Sequence, residues 1–151
     1  MAVTKIWPIK DSVRRVVEYA ENPEKTQCPD LEAVLCYAGN REKTGQEQTV
    51  FVTGINCGRD TAFREMLAVQ EQYDKMDGNV AYHAYQSFRP GEVTPQQCHQ
   101  IGIELARQLW GERYQVLVAT HFNTGTFHNH FVLNAVSFVD GKKFNCNRAA
   151  Y

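Results

Sequence analysis

Three histidines carry the chemistry that this sequence allows. His121, His128 and His130 lie in the run His121-Phe122-Asn123-Thr124-Gly125-Thr126-Phe127-His128-Asn129-His130. Residues i and i+2 of a strand share a face, so His128 and His130 point the same way if the β-prone stretch around Phe131-Val132-Leu133 is extended. Residues 122–127, with Gly125 among them, are enough to turn the chain and return His121 to the pair. Three imidazoles aimed at one point form a half-open metal site, with positions left for water or substrate. Such ligands suit zinc, manganese, nickel or cobalt, so the ligand set does not choose the metal. On one face of the strand the order is His128, His130, Val132, Asn134; the other carries Asn129, Phe131 and Leu133. A face polar at one end and apolar at the other is expected for a site at the rim of a sheet that also covers a core. The competing reading is that two of the five histidines fall at this spacing by chance.

Periodicity supplies the elements that must hold these residues. Residues 2–9 read as a first strand, and Pro8 suggests an edge position or an early stop. Asp11 or Ser12 caps a helix that reaches about Asn22 before Pro23. Val13, Val16, Val17 and Ala20 form its apolar stripe, and Tyr19 lies off that stripe. Residues 33–37 and 50–55 are strand candidates on either side of a polar loop at 39–48. Asp60 or Thr61 opens a second helix to about Asp74, with Phe63, Met66, Leu67 and Gln70 on one side. Residues 80–88 alternate as a strand that Pro90-Gly91 ends. Thr94 and Gln97 form a capping-box pattern with Pro95 at the first helical position. That third helix runs to about Trp110 and is expected to bury Ile101, Leu105 and Leu109. Residues 114–121 and 127–138 form a hairpin, and Asp140-Gly141 makes a further turn. The order predicts an α+β fold, a mainly antiparallel central sheet with helices packed on one side as a two-layer sandwich.

The chain has 151 residues, one domain's worth, and at 43% hydrophobic it has enough apolar material for a core. Five cysteines, odd in number and without Cys-x-x-Cys spacing, point to reduced thiols in the cytoplasm and away from a cysteine zinc site. No apolar run approaches membrane-spanning length, so no membrane insertion is expected. The net charge of −1 gives no bulk argument for a nucleic-acid partner. Its distribution does suggest one: Lys5, Lys10, Arg14, Arg15 and Lys25 cluster near the start, and Lys142, Lys143 and Arg148 near the end. The last residues, 145–151, lack a terminating signal, so the sequence reads as the N-terminal part of a longer chain.

Four segments occur in a familiar order. They are Val17-Glu18-Tyr19-Ala20-Glu21-Asn22-Pro23-Glu24-Lys25-Thr26, Gly54-Ile55-Asn56-Cys57, Gln86-Ser87-Phe88-Arg89-Pro90-Gly91-Glu92, and Thr120-His121 through His128-Asn129-His130 to Asn134. In these the chain resembles the relaxase, or mobilisation nuclease, family. More narrowly it is similar to the MobP-type relaxases of conjugative and mobilisable elements, within the HUH endonuclease superfamily. The resemblance implies a relaxase-like fold and a DNA relaxase that nicks single-stranded DNA at a transfer origin by transesterification. It implies Tyr19 as nucleophile, Ser87 near the scissile DNA, and His121, His128 and His130 as ligands of a divalent metal, magnesium or manganese in function. Implied partners are the single-stranded DNA, accessory DNA-binding proteins and a coupling protein of a plasmid or integrative element.

One position departs from the pattern. The superfamily places a bulky hydrophobe between its paired histidines, and this chain has Asn129. On a strand that residue points away from the metal, so ligation is expected to survive. The letters His-Asn-His do not make an HNH nuclease, whose residues are spread over a ββα unit. DNA contacts are expected from Arg14, Arg15, Lys25, Lys142 and Lys143. Asn134 or a carboxylate is the candidate to orient a ligand's second nitrogen. His83 and His99 read as structural, and Tyr37, Tyr82, Tyr85 and Tyr114 compete with Tyr19 as nucleophile. Two other functions stay open: a hydrolase whose metal activates water, and a non-catalytic single-stranded DNA-binding fragment.

Overall fold

A computed structural model describes residues 3–10, 17, 18, 20, 51–121 and 126–144. The strand expected at 33–37, most of the first helix, Tyr19, Arg14, Arg15 and Lys25 lie outside the described residues. The elements are β1 (Val3–Ile9), β2 (Val52–Ile55), α1 (Ala62–Gln72), β3 (Ala81–Phe88), α2 (Pro95–Trp110), β4 (Val116–His121) and β5 (Phe127–Asn134). Val17, Glu18 and Ala20 are also helical.

The five strands form one sheet in the order β1-β3-β5-β4-β2, and every neighbouring pair is antiparallel. β1, which contains Pro8, is an edge strand, where a missing N–H is tolerated. β5 is central and hydrogen-bonded on both sides, so the backbone at His128 and His130 is held by two ladders. Gly54 sits where β2 meets the loop behind it. A Cβ there would lie 2.2 Å from the Cys57 carbonyl oxygen, so only glycine fits.

The expected α+β antiparallel sandwich is what forms, but the helices divide between the two faces of the sheet. Ala62 and Met66 of α1 pack with Val17, Ala20, Leu117, Ala119 and Val132. Ile103, Ala106 and Trp110 of α2 pack on the other face with Val116, Val118, Phe131 and Leu133. Alternation along β4 and β5 makes both faces apolar, and each therefore needs a cover. Among the described residues no helix is long and apolar enough to cross a membrane.

Helix α2 starts as expected. Thr94 Oγ1 accepts from the Gln97 N–H at 3.1 Å, and Gln97 Oε1 accepts from the Thr94 N–H at 3.0 Å. Its buried face is not the expected one. Ile101 and Leu109 are 38% and 52% exposed and Leu105 is only partly buried, while Cys98, Gly102, Ile103, Ala106 and Trp110 are buried. The reason is close approach. Cys98, Gly102 and Ala106 form a stripe of small residues that lets the helix settle onto β5. A Cβ at Gly102 would stand 2.7 Å from the Asn129 side chain. Close fit, together with burial of Ile103 and Trp110, sets the rotation of this helix.

At the far end of β5, Gln70 and Asn134 explain each other's burial. Gln70 Nε2 donates to the Val80 carbonyl and to Asn134 Oδ1, both at 2.9 Å. Asn134 Nδ2 donates to the Met66 carbonyl at 3.2 Å and to Gln115 Oε1 at 2.9 Å. Asn134 is thus committed to tying α1 to the sheet.

Candidate metal centre

Strand register brings the expected residues together. Across β3 and β5, Ser87 stands opposite His128, Tyr85 opposite His130, and His83 opposite Val132. Across β4 and β5, His121 stands opposite His128 and Ala119 opposite His130. Directly paired residues share a face, so His83, Tyr85, Ser87, His121, His128 and His130 line one patch. Ring centroids are 4.0 Å apart for His121 and His130, 5.6 Å for His128 and His130, and 6.3 Å for His121 and His128. His121 and His130 are buried, and His128 is half-buried. Burial pushes the His128 pKa down, favouring the neutral ring that carries a donor lone pair.

The hydrogen bonds fix further roles. His121 Nε2 lies 2.7 Å from the carbonyl oxygen of Ala20. A carbonyl only accepts, so Nε2 carries the hydrogen and the lone pair of a neutral ring falls on Nδ1. His130 Nδ1 lies 2.8 Å from His83 Nε2. His83 is pushed down to about 4, first by burial and then by the nearby His121, so it is neutral at physiological pH. With the shared hydrogen on His130 Nδ1, His130 directs its Nε2 lone pair elsewhere, the arrangement by which outer partners orient metal-binding histidines.

His83 is thus the group hydrogen-bonded to His130, where the sequence-based candidate was Asn134 or a carboxylate. Sequence reasoning missed it because β3 and β5 pair across a long separation. The available signal was that His83 shares a strand face with Ser87. Replacing His83 with Phe, which keeps a ring and removes the bond, is expected to weaken Mn²⁺ binding about 10- to 100-fold. Calorimetric titration checks this, and His83→Asn should recover part of the loss.

Among the described residues, no three of His, Cys, Asp or Glu stand in ready metal-holding geometry. The rings are gathered, while His121 Nε2 faces Ala20 and His130 Nδ1 faces His83. The chemistry of the donor set, three imidazoles on one face of the sheet, still suits a divalent cation.

The remaining expected residues are placed as follows. Ser87 is half-buried beside His128. Lys142 and Lys143 lie beyond Asn134, at the opposite end of β5 from His128. That strand's 8 residues span about 26 Å. The Lys143 ammonium donates to the Asp77 carbonyl. Of the competing tyrosines, Tyr82 is buried with its hydroxyl 3.3 Å from the Phe144 carbonyl, and burial pushes the Tyr114 phenol up. Tyr85 lies on the histidine face, 6.3 Å from His130 between ring centroids, and Tyr37 is outside the described residues.

The opposite face explains the departure at position 129. Asn129 is fully buried and uses all its hydrogen-bonding capacity. Its Oδ1 accepts from Thr120 Oγ1 at 2.5 Å and from the Cys98 thiol at 3.7 Å. Its Nδ2 donates to the Cys98 carbonyl at 2.7 Å and to Gln86 Oε1 at 3.1 Å. Burial pushes the Cys98 thiol to about 12, so it stays protonated as a donor. His99 extends the chain, with Nδ1 2.8 Å from Thr120 Oγ1 and Nε2 2.7 Å from Thr53 Oγ1. Since the Thr120 hydroxyl donates to Asn129, His99 Nδ1 donates to Thr120 and its Nε2 accepts from Thr53. Burial holds His99 near a pKa of about 4, consistent with that neutral tautomer.

The family described as "Relaxase: MobA/VirD2-like, nuclease domain" matches residues 37–151. Two proteins of Staphylococcus aureus, each named Protein rlx, are 38% and 41% identical over 99% and 98% of this chain. The group II intron-interrupted relaxase LtrB of Lactococcus lactis subsp. cremoris is 28% identical over 88% of it. The aligned regions take up 37%, 38% and 29% of those relatives, so the chain spans well under half their length. No solved structure matches it. The match over most of the chain, on a sheet that gathers the three histidines on one face, means that this chain belongs to the MobA/VirD2-like relaxase family and carries its nuclease domain.

Proposed function

We propose that this domain nicks and rejoins one DNA strand at a transfer origin, through a 5′-phosphotyrosyl intermediate on Tyr19, during mobilisation of a plasmid or integrative element. One observation carries the reading. The carbonyl of Ala20, the residue after Tyr19, is hydrogen-bonded to His121 in the patch that gathers His128 and His130. The nucleophile's own segment therefore reaches the imidazole cluster. Relatives named as relaxases support the reaction class.

A phosphodiester resists attack because it is anionic and its alkoxide leaves poorly. A divalent cation held by His121, His128 and His130, magnesium or manganese in this family, would offset charge on the non-bridging oxygens and hold the phosphate for in-line attack. The Tyr19 oxygen bonds to phosphorus and the phenolic proton goes to a neighbouring base. The bond from phosphorus to the 3′ oxygen breaks, and that oxygen takes up a proton as the free 3′ hydroxyl. A phenol titrates near pH 10, so attack at neutral pH needs the local environment to draw the proton off. The ester conserves the phosphodiester's energy, so the reverse reaction rejoins the strand without ATP. Ser87, beside His128, donates to the scissile phosphate, and Arg14, Arg15, Lys25, Lys142 and Lys143 follow the strand on either side. In this reading residues 1–151 act as the catalytic unit in the cytoplasm, with accessory DNA-binding proteins and a coupling protein.

The test is intact-mass measurement after incubation with Mn²⁺ and oligonucleotides spanning candidate transfer origins. The expected protein mass rises by the fragment downstream of the nick. A hydrolase that activates water would release both fragments with the protein mass unchanged, and a binding fragment would leave the strand intact. Either result overturns the proposal.

A further inference from the structure

We infer that Trp7 and Tyr85, with Lys5, form a subsite that stacks an unpaired nucleobase of single-stranded DNA beside the histidine patch. The inference rests on the DNA-nicking reading and names where the strand is held. Register puts Lys5 opposite Tyr85 and Trp7 opposite His83, so the side chains of edge strand β1 extend the histidine face. The rings run in a row. Trp7 is 4.7 Å from His83 and 5.9 Å from Tyr85 between centroids, and His83 is 5.0 Å from His130. A base on Trp7 and a phosphate at the histidines therefore belong to the same short stretch of strand.

A lone exposed aromatic is ordinary and carries no argument. Trp7 differs in three respects. It is 38% exposed although its neighbours on the row are more buried. It shares its face with the candidate catalytic residues. A cation accompanies it, with exposed Lys5 placing Nζ 6.0 Å from the Tyr85 ring centroid, where it can meet a phosphate. An aromatic platform beside a positive charge is how proteins grip single strands without reading their sequence, because every base offers a π-face. The ligand is a single-stranded polynucleotide, recognised by base stacking and phosphate charge.

The chain's other tryptophan, Trp110, is 7% exposed in the core, so a fluorescence change on DNA binding reports Trp7. The probes are an oligothymidylate of about 20 nucleotides and an abasic strand of equal charge, at low salt and without metal. The expected results are quenching by oligothymidylate, loss of that quenching in Trp7→Phe, and about 5- to 100-fold weaker oligothymidylate binding in Trp7→Ala with abasic-strand binding unchanged. Phe retains a stacking ring, so Trp7→Phe should bind well and also guards against misfolding. Equal affinity of Trp7→Ala and the unaltered protein for oligothymidylate overturns the subsite, as does an equal loss for the abasic strand. Adduct formation on a transfer-origin strand alongside that null result would remove the subsite and leave the nicking reading standing. Stacking without any adduct would do the reverse.

Discussion

Tyr19→Phe is expected to lower covalent adduct formation by at least about 10³-fold while changing affinity for the same oligonucleotide by less than about threefold. The substitution removes only the oxygen that bonds to phosphorus and leaves a ring of nearly the same shape. Tyr19 itself lies outside the described residues, so the expectation is built from its neighbours in the chain. Val17 and Ala20 are buried in the cluster that includes Leu117 and Ala119 of β4, the strand that ends at His121. The Ala20 carbonyl accepts from His121 at 2.7 Å. Apolar burial and this hydrogen bond both anchor the segment at the imidazole patch. The measurement pairs denaturing-gel detection of the adduct with fluorescence anisotropy on matched oligonucleotides. Adduct persisting in Tyr19→Phe would move the nucleophile to another tyrosine. Tyr85 is then the one to replace, since it lies on the histidine face while Tyr82 is buried and the Tyr114 phenol is held protonated by burial.

What the sequence made legible follows from local rules. Alternation along residues 114–134 gave the β4–β5 hairpin and both its faces, and with them the placing of His121, His128 and His130 on one face. The Thr94–Gln97 capping box and the edge position of Pro8 depend on chemistry within a few residues, and both were readable. What was not readable depends on pairing between distant segments. His83 could be placed on a strand, but not beside His130, until β3 was known to pair with β5. The rotation of α2 was misjudged because hydrophobicity favours Ile101, Leu105 and Leu109. The fit against β5 selects the smaller Cys98, Gly102 and Ala106 instead. Ser87 and Tyr19 came from family resemblance, since no spacing in the chain singles either out.

Asn129→Leu, which restores the bulky hydrophobe usual between the paired histidines, is expected to destabilise this protein by about 3–5 kcal/mol. In most cores an apolar side chain would be the more favourable occupant, and burying leucine returns about 2 kcal/mol here. Four lost hydrogen bonds exceed that gain. Gln86 Oε1 loses a donor at 3.1 Å, the Cys98 carbonyl loses one at 2.7 Å, and the Thr120 hydroxyl and the Cys98 thiol both lose their acceptor. A buried polar group left unsatisfied costs about 1–3 kcal/mol. Steric fit adds to the cost, because the Asn129 side chain already lies where even a Cβ on Gly102 would meet it at 2.7 Å. A larger branched side chain must push α2 off the sheet. The urea midpoint should fall with the slope of the transition unchanged. A shift below about 0.5 kcal/mol would show that the network does not hold β5. Because Asn129 alternates with His128 and His130, the strand that presents the two imidazoles is fastened from its opposite face, through Thr120 to β4, through Gln86 to β3 and through Cys98 to α2. Asparagine at this position therefore belongs to a matched set with Gly102, Thr120 and Gln86, and replacing it alone should fail.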